Sequence, residues 1–354
     1  MDIQNRKGLY VELLESGAVK SIVAGNIRIS LREGTLFSGP GANVFLRKTS
    51  GNIQYIPLTG PQSPGKFSVE QNQLISRGKW EGVAYECHLQ LSESSQSWQW
   101  SISLTGNSDQ ESKYDLICVQ DVGLKLLDAG MINEYYVSQY IERLMLNDQK
   151  LGSVICCRQN LKEPTGHPWL MMACKGGSAS GTTDGMPFYG MNSRVHGIPG
   201  GLQKETLDGE YAGESSVIAL QSKPFTLKNG QTHWEAFVFT FMENHPGATS
   251  QDDLQKLPGL LKEFGDYPSD ISSRKWQKPV TNLFNTSPFL PSDDLNNSEL
   301  DNFFGTRRRH EETENGQLLS FFCNDHVHVV LKAKELLTYR PHGHIMQANT
   351  GLTP

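Results

Sequence analysis

Apolar and polar residues alternate with a period of two along several stretches of this chain. In SWQWSISLTG (97–106), Trp98, Trp100, Ile102 and Leu104 occupy one set of alternate positions, and the positions between them are polar. NIRISLREG (26–34) and VAYECHLQL (83–91) show the same alternation. Such a pattern is typical of β-strands with one buried and one wetted face. HWEAFVFTFM (233–242) is apolar on both faces, which indicates a central strand.

Turn-forming residues separate these runs. The chain has 34 glycines and 17 prolines, and they fall largely between the alternating stretches, as turns between many strands require. We therefore predict a mostly β protein in which residues 1–248 form a large antiparallel β-sandwich.

The pattern changes after residue 248. SQDDLQKLPGLLKEFG (250–265) has a serine cap, early acids and leucines at helical intervals, with Pro258 expected to kink or shorten the helix. SELDNFFG (298–305) resembles a capped helix that ends at a glycine. A strand pair is predicted to follow, in LLSFFCND and HVHVVLKAKEL. Residues 249–354 are thus predicted to form a helical linker and a strand pair.

The stretch KGGSASGTTDG (175–185) invites comparison with a phosphate-binding loop. Such a loop needs a strand before it and a helix N-terminus after it, because the helix supplies aligned N–H donors. HPWLMMAC upstream fits a strand, but Pro187 and Gly190 downstream do not fit the start of a long helix, and Lys175 precedes the glycines. We predict that the whole stretch is a turn between strands and binds no nucleotide.

Composition excludes other classes of protein. Charged residues make up 20% of the 354 residues and the formal net charge is -6, so a general affinity for nucleic acid or anionic membrane is not expected. We find no secretion signal and no apolar run of transmembrane length, so we predict a cytoplasmic protein that is not in a membrane. The six cysteines are expected to be reduced thiols, and no cofactor or metal site is predicted.

Nine short motifs follow one another between residue 120 and the C-terminus: QDVGLKL (120–126), NEYYVSQYIE (133–142), RQN (158–160), GHPWL (166–170), DGMPFYG (184–190), ELDNFFG (299–305), LLSFF (318–322), VVLKAKEL (329–336) and RPHGHI (340–345). In this order the chain resembles glycoside hydrolase family 94, and most closely its 1,2-β-oligoglucan phosphorylases.

The resemblance implies a fold and a function. The N-terminal region of that family is a β-supersandwich similar to galactose mutarotases, joined by helices to an (α/α)6 barrel that carries the catalytic acid. The motifs end where the barrel is expected to begin, so no acid in this chain is expected to be catalytic. The chain would be the non-catalytic N-terminal part of a phosphorylase that cleaves β-1,2-glucans reversibly with inversion. Its partners would be a β-1,2-gluco-oligosaccharide, phosphate and the barrel domain, and a homodimer is left open.

The candidate substrate-binding residues lie in three of the motifs. The amides, carboxylate and ring of NEYYVSQYIE (133–142) suit sugar recognition, although a turn at Asn133 followed by a strand with packed tyrosines also explains them and is favoured. Trp169 suits stacking on a glucosyl ring or packing in a core. The last motif suits phosphate binding or a structural junction. The candidates are Asn133, Glu134, Tyr136, Gln139, Trp169, Arg340 and His342.

Two further patterns allow other functions. The pairs His326/His328 and His342/His344 have a spacing that zinc ligands can use, but lysines continue the first pair, which favours a wetted strand face. His233 and Glu235 have the spacing of an acid/base pair in a mutarotase-like sugar epimerase, but phenylalanines continue their face. A phosphorylase part, a stand-alone carbohydrate-binding module and a mutarotase-like epimerase therefore remain as hypotheses.

Overall fold

The computed structural model describes residues 1–35, 41–70, 72–127, 134–190, 198–212, 215–264, 274–281, 298, 302, 308–314, 317–323, 327–330 and 345–347. Two compact units are distinguished, residues 1–188 with 199–286, and residues 189–198 with 287–354.

Strands dominate the described part of the chain. In chain order they are β1 Asp2–Gln4, β2 Leu9–Leu13, β3 Val19–Ala24, β4 Ile27–Arg28, β5 Ala42–Lys48, β6 Gln54–Pro57, β7 Lys66–Glu70, β8 Gln73–Trp80, β9 Val83–Leu91, β10 Ser97–Gly106, β11 Ser112–Asp121, β12 Lys125–Leu126, β13 Ile141–Asp148, β14 Gly152–Gln159, β15 Trp169–Cys174, β16 Ser178–Thr182, β17 Val217–Ser222, β18 Phe225–Leu227, β19 Thr232–Met242, β20 Arg308–Glu314, β21 Gln317–Cys323, β22 Val327–Val330 and β23 Ile345–Gln347.

In the ranges described above, helices are few and short. They are α1 Glu134–Gln139, α2 Gly185–Tyr189 and α3 Leu257–Glu263, with 3-10 turns at Gly200–Gln203 and Gln251–Lys256. The predicted serine cap before the third helix is confirmed, because Ser250 and Asp253 form a reciprocal capping box. Pro258 lies in the first turn of α3, where its missing N–H costs no helical hydrogen bond.

The large unit contains three sheets. The eight-stranded sheet has the order β13-β14-β15-β19-β10-β9-β8-β7. The six-stranded sheet has the order β16-β17-β11-β5-β6, and its sixth strand, β18, pairs with β11. The five-stranded sheet has the order β1-β2-β3-β4-β12. One apolar cluster joins all three sheets and includes Trp98 and Trp100 of β10, Leu116 of β11 and Ile22 of β3. The predicted large antiparallel β-sandwich followed by a helical segment is therefore confirmed.

The strand predicted to be central is β19, and it lies between β15 and β10. Its alternate residues Phe237 and Phe239 face the main core, whereas Val238 belongs to a second apolar cluster with Leu257 and Leu260 of α3. Both faces of the sheet are buried here because α3 covers the outer one. This explains why the sequence of β19 is apolar at consecutive positions.

The smaller unit contains a four-stranded sheet in the order β20-β21-β22-β23. The pairing of β21 with β22 is antiparallel, with Phe321 opposite Val329, which agrees with the predicted strand pair. The predicted helix at 298–305 lies outside the described residues except for positions 298 and 302, both of which are helical.

Five of the six cysteines are buried free thiols: Cys87, Cys118, Cys156, Cys157 and Cys174. Burial raises the pKa of each, that of Cys157 to about 12 although Arg143 acts against the increase. Because the thiolate is the reactive form, we expect iodoacetamide at pH 8 to leave these five unmodified in the folded protein and to alkylate them in denaturant. Peptide mapping by mass spectrometry measures both states, and a disulfide between any two would contradict the expectation.

Candidate functional site

Several of the sequence motifs meet at one end of the eight-stranded sheet. Strand β13 begins there, β14 ends, β15 begins and β19 ends, since Ile141 pairs with Gln159, Arg158 with Trp169, and Trp169 with Met242. Beyond these strand ends, Asn160 N donates to Tyr140 O at 2.9 Å and His167 N donates to Asn244 Oδ1 at 3.0 Å. We call the region of Tyr140, Asn160, His167 and Asn244 the motif end.

The first motif, 120–126, is tied to the same region. Gln159 Nε2 donates to Gly123 O at 3.4 Å, and Ser216 Oγ donates to Val122 O at 2.5 Å. Ser216 Oγ also lies 2.9 Å from Ser138 Oγ of α1, and all three side chains are buried. These contacts connect 120–126, 133–142 and 158–160 into one structure, although their separation in sequence gives no hint of it.

A buried charge pair connects this region to the DGMPFYG motif. Arg143 Nη2 of β13 lies 3.8 Å from Asp184 Oδ2, and Arg143 Nη1 donates to Ser138 O at 3.3 Å. Asp184 also accepts from Met186 N at 2.7 Å and Ser215 N at 3.1 Å. Burial lowers the pKa of Arg143 and raises that of Asp184. Sequence analysis missed both residues, although an acid directly before a short helix is a recognisable capping signal.

A second buried pair braces the loop between β14 and β15. Lys125 Nζ donates to Glu163, whose side chain is 3% exposed. The loop is closed on itself by hydrogen bonds between the backbones of Glu163 and Gly166. His167 Nδ1 lies 3.0 Å from Gln159 O, so the polar groups of this loop are also used internally.

The structure places the predicted binding residues unequally. Glu134, Tyr136 and Gln139 all lie on α1, next to the motif end. The structure describes only the backbone of Glu134 and Tyr136, whereas the Gln139 side chain is exposed. Asn133, Arg340 and His342 lie outside the described residues.

The alternative explanation of the motif 133–142, a turn followed by a strand, is wrong for 134–139, which is helical. Val137 and Ser138 are both buried at consecutive positions, which a half-buried strand with its alternating faces does not allow. The strand β13 begins only at Ile141.

Trp169 lies in the second apolar cluster and has no exposed surface. Its ring stacks on the ring of His245 with 5.0 Å between centroids and 12° between planes. Its Nε1 donates to Thr249 Oγ1 at 3.2 Å, and Lys256 Nζ lies 5.4 Å from the ring centroid. Packing in the core therefore accounts for Trp169.

His245 connects Trp169 to the segment that leads into α3. Its Nδ1 lies 2.8 Å from Gly247 O and its Nε2 lies 2.7 Å from Asp253 Oδ1, which also accepts from Lys256 Nζ at 2.6 Å. Burial acts to raise the pKa of Asp253, but hydrogen bonds from Lys256, Ser250 N and His245 together hold it below its ordinary value. The cluster fixes the start of α3 against the outer face of the sheet.

His233 and Glu235 each contact other groups of the protein. The ring of His233 stacks on Phe225 with 3.7 Å between centroids. Glu235 is 3% exposed, and its Oε1 accepts from Gly176 N and Ala236 N, each at 2.8 Å. The carboxylate is thus held by backbone donors.

One backbone amide of the glycine-rich stretch, Gly176 N, binds an anionic group, and that group is the protein's own Glu235 carboxylate. A Cβ on Gly176 would lie 2.3 Å from Glu235 Oε2, so only glycine lets the backbone amide approach the carboxylate this closely. The turn covers 175–177 only. The prediction of a turn over all of 175–185 is wrong for 178–182, which form β16, where Gly181 packs against Leu220 and Met145.

Glu235 should make folding stability depend on pH in a defined direction. Burial raises its pKa, although the amides of Gly176 and Ala236 oppose this increase. A carboxyl with a raised folded-state pKa contributes stability that is fully present below its unfolded pKa and is lost as pH rises through the folded value.

We therefore expect the stability of the wild-type protein relative to Glu235→Gln to fall as the pH rises above 4.5, the ordinary pKa of a glutamate carboxyl. Urea unfolding across this range measures it, with the exposed Glu93→Gln as the matched control. Parallel pH profiles for the wild type and Glu235→Gln would show that the pKa of Glu235 is not raised.

All six buried carboxylates among the described residues have partners inside the protein. Asp115 binds Arg47, Asp121 accepts from Arg32 N, and Glu163, Asp184, Glu235 and Asp253 have the partners given above. In the same residues, acidic, histidine and cysteine side chains do not gather in groups of three that could bind a metal ion. None of the helices in the described ranges has the length and apolar character that a membrane crossing requires.

Two protein families match this chain. Residues 12–239 match the family described as the SOGP N-terminal domain, and residues 305–353 match the glycoside phosphorylase supersandwich domain. A 1,2-β-oligoglucan phosphorylase of Listeria innocua is 28% identical over 309 residues, which cover 86% of this chain and 26% of that protein. The chain thus spans about a quarter of the length of this curated relative.

Solved structures show a more distant likeness. A bacterial glucoamylase has a TM-score of 0.43 at 9% identity, covering 72% of this chain and 32% of its own. A GalM/aldose epimerase homologue from C. elegans has a TM-score of 0.40 at 8% identity, covering 69% and 99%. A kojibiose phosphorylase homologue from the human microbiome has a TM-score of 0.36 at 11% identity, covering 75% and 36%.

The first family match covers most of the large unit, from the end of β2 through β18 and most of β19. Together with the second match and the Listeria relative, it confirms the resemblance to the N-terminal region of phosphorylases that the motifs predicted. The chain belongs to the SOGP N-terminal domain family.

Proposed function

We propose that this chain is the non-catalytic N-terminal part of a cytoplasmic glycoside phosphorylase that acts on β-1,2-glucans. The observation that carries the proposal is the alignment with the Listeria 1,2-β-oligoglucan phosphorylase, which covers most of this chain but about a quarter of the relative. The two family matches follow each other along the chain, which supports a phosphorylase over an isolated sugar-binding module.

The proposed whole enzyme would release α-glucose 1-phosphate with inversion at the anomeric carbon. A carboxylic acid protonates the glycosidic oxygen while phosphate attacks the anomeric carbon from the opposite face. Such an acid must be free to face the substrate. The six buried carboxylates of the described residues are bound by internal partners, so these six are not free for that role. We place the acid on a separate (α/α)6 barrel.

The sandwich would support that barrel and supply loops to one wall of its substrate site. The motif end is the best candidate for these loops, because α1 carries Gln139 in an exposed position beside strands that are rigidly paired. Residues 249–354 would lead toward the barrel, and the match of 305–353 supports a β-rich segment on the way. In the whole enzyme the ligands would be a β-1,2-gluco-oligosaccharide and phosphate.

Phosphate release from glucose 1-phosphate, with sophorose as acceptor, tests the proposal. We expect no turnover by the purified 354-residue chain and turnover when a longer polypeptide also carries the downstream barrel. Since a misplacement of about 1 Å can cost 10²-fold in rate, a sandwich without the barrel cannot supply the aligned acid and phosphate. Turnover by the short chain that a substitution within it abolishes would overturn the proposal.

Titration of the chain alone with β-1,2-gluco-oligosaccharides tests the role of the motif end. We expect Gln139→Ala to weaken binding, or to raise KM of the longer polypeptide with little change in kcat. The exposed Gln54→Ala, on the β6 edge, is the matched control. If the two substitutions changed binding equally, the motif end would not be part of the substrate site.

A further inference from the structure

The eight-stranded sheet ends at β7, and residues 274–281 cover the open side of this strand. Phe67 N donates to Gln277 O at 2.8 Å, and Gln277 N donates to Phe67 O at 2.7 Å, which forms an isolated antiparallel bridge. We call residues 274–281 the clip. An edge strand with free backbone donors and acceptors is the kind of surface to which extended peptides add.

Two side chains of the clip contact the same face of the sheet. Arg274 Nε lies 2.6 Å from Glu70 Oε1, and the ring of Trp276 lies under the Arg77 guanidinium, 3.7 Å from its centroid. Residues i and i+2 of an extended chain project from one side, so both side chains can reach this face together. Glu70 pairs with Gln73 of β8, and paired residues project from the same face of a sheet. Arg77 lies four residues after Gln73, so it projects from that same outer face.

These contacts are separate from the core of the sandwich. Arg77 and Gln277 are exposed, and 36% of the Glu70 side chain is exposed. The Arg274 side chain is 10% exposed, but a single backbone bridge joins the clip to β7, whereas β7 pairs with β8 along all of its five residues. The clip therefore opens more readily than the sheet to which it binds. Opening leaves the β7 backbone, Glu70 and Arg77 arranged to bind again.

We propose that the β7 edge is a peptide-docking site that binds an extended Arg-x-Trp-Gln sequence, with the clip as its resident ligand. The Glu70 carboxylate selects the arginine and the Arg77 guanidinium selects the indole. The backbone bridge at Phe67 sets the antiparallel direction. The site thus exchanges the clip for the same sequence presented by another polypeptide.

A labelled peptide of residues 274–281, RKWQKPVT, tests this site by fluorescence anisotropy. We expect saturable binding to the full chain carrying R274A and W276A, in which the clip is released. The wild-type chain should bind at least about tenfold more weakly, because its own clip competes at an effective concentration of about millimolar. A peptide with alanine in place of its arginine and tryptophan should not bind. Adding E70Q and R77A to the released variant should abolish binding of the first peptide.

The proposal is overturned if the folded, clip-released variant shows no saturable binding, or binds the alanine peptide equally well. It is also overturned if the released edges pair between two copies and the peptide does not separate them in sedimentation. Amide hydrogen exchange of the wild type is an independent test. The amides of Phe67 and Gln277 should exchange at least about tenfold faster than that of Trp100 in the central sheet, and equal protection would exclude an opening clip.

Discussion

Replacing Asp115 with asparagine should lower the free energy of unfolding by about 3–5 kcal/mol, because it leaves the guanidinium of Arg47 buried without its counter-charge. Arg47 Nε and Nη2 donate to the two carboxylate oxygens of Asp115, each at 2.7 Å, and the side chains are 0% and 4% exposed. Chemical denaturation measures the change.

The loss should extend beyond the ion pair. Arg47 Nη1 also donates to Leu202 O at 3.2 Å and Lys204 O at 2.6 Å, and Gln221 Nε2 donates to Asp115 Oδ2 and Glu205 O. The pair therefore holds the loop around 200–205 on the six-stranded sheet. We expect faster proteolysis of this loop in the asparagine variant.

A double substitution distinguishes an unpaired charge from a loss of packing. Arg47→Met with Asp115→Leu removes both charges and keeps apolar volume, so it should cost less than Asp115→Asn alone. A double variant that loses as much stability as Arg47→Met and Asp115→Leu lose in sum when made singly would show that the two side chains are not energetically coupled.

Replacing Trp169 with alanine should lower the free energy of unfolding by about 3–5 kcal/mol, as expected for removal of a fully buried large aromatic side chain. The cavity would lie between Met171, Leu257 and the ring of His245, so α3 would lose part of its packing surface. Thermal and urea unfolding measure the loss. Hydrogen exchange across residues 251–263 should rise more than across β10.

The conservative variant Trp169→Phe keeps most of the ring and loses the hydrogen bond to Thr249, so it should cost about 1 kcal/mol. Because Trp169 has no exposed surface, titration of this folded variant with β-1,2-gluco-oligosaccharides should match the wild type. Loss of oligosaccharide binding without loss of stability would show that Trp169 contacts the sugar instead of packing in the core.

The candidate site was only partly predictable from the sequence. The motifs indicated that 133–142 and 158–160 belong to the site. Arg143 pairs with Asp184, 41 residues away, and Glu163 pairs with Lys125, 38 residues away. The motifs do not specify the strand order that brings these partners together. Helix α1 was not predicted because the aromatic residues of 133–142 favour strands. In the folded protein, the burial of Val137 and Ser138 outweighs that preference.

What the sequence determined by itself was local periodicity and capping. The alternation in β10, the two apolar faces of β19 and the capping box of Ser250 and Asp253 depend on residues within a few positions of one another, so they could be recognised before the fold was known. Only the tertiary structure decided which buried polar groups meet. Glu235 accepts from the amide of Gly176, 59 residues away, and Asp115 pairs with Arg47, 68 residues away, because strand order in the sheets brings them together. A side chain's type limits the partners it can accept, and the sheet pairing selects one of them.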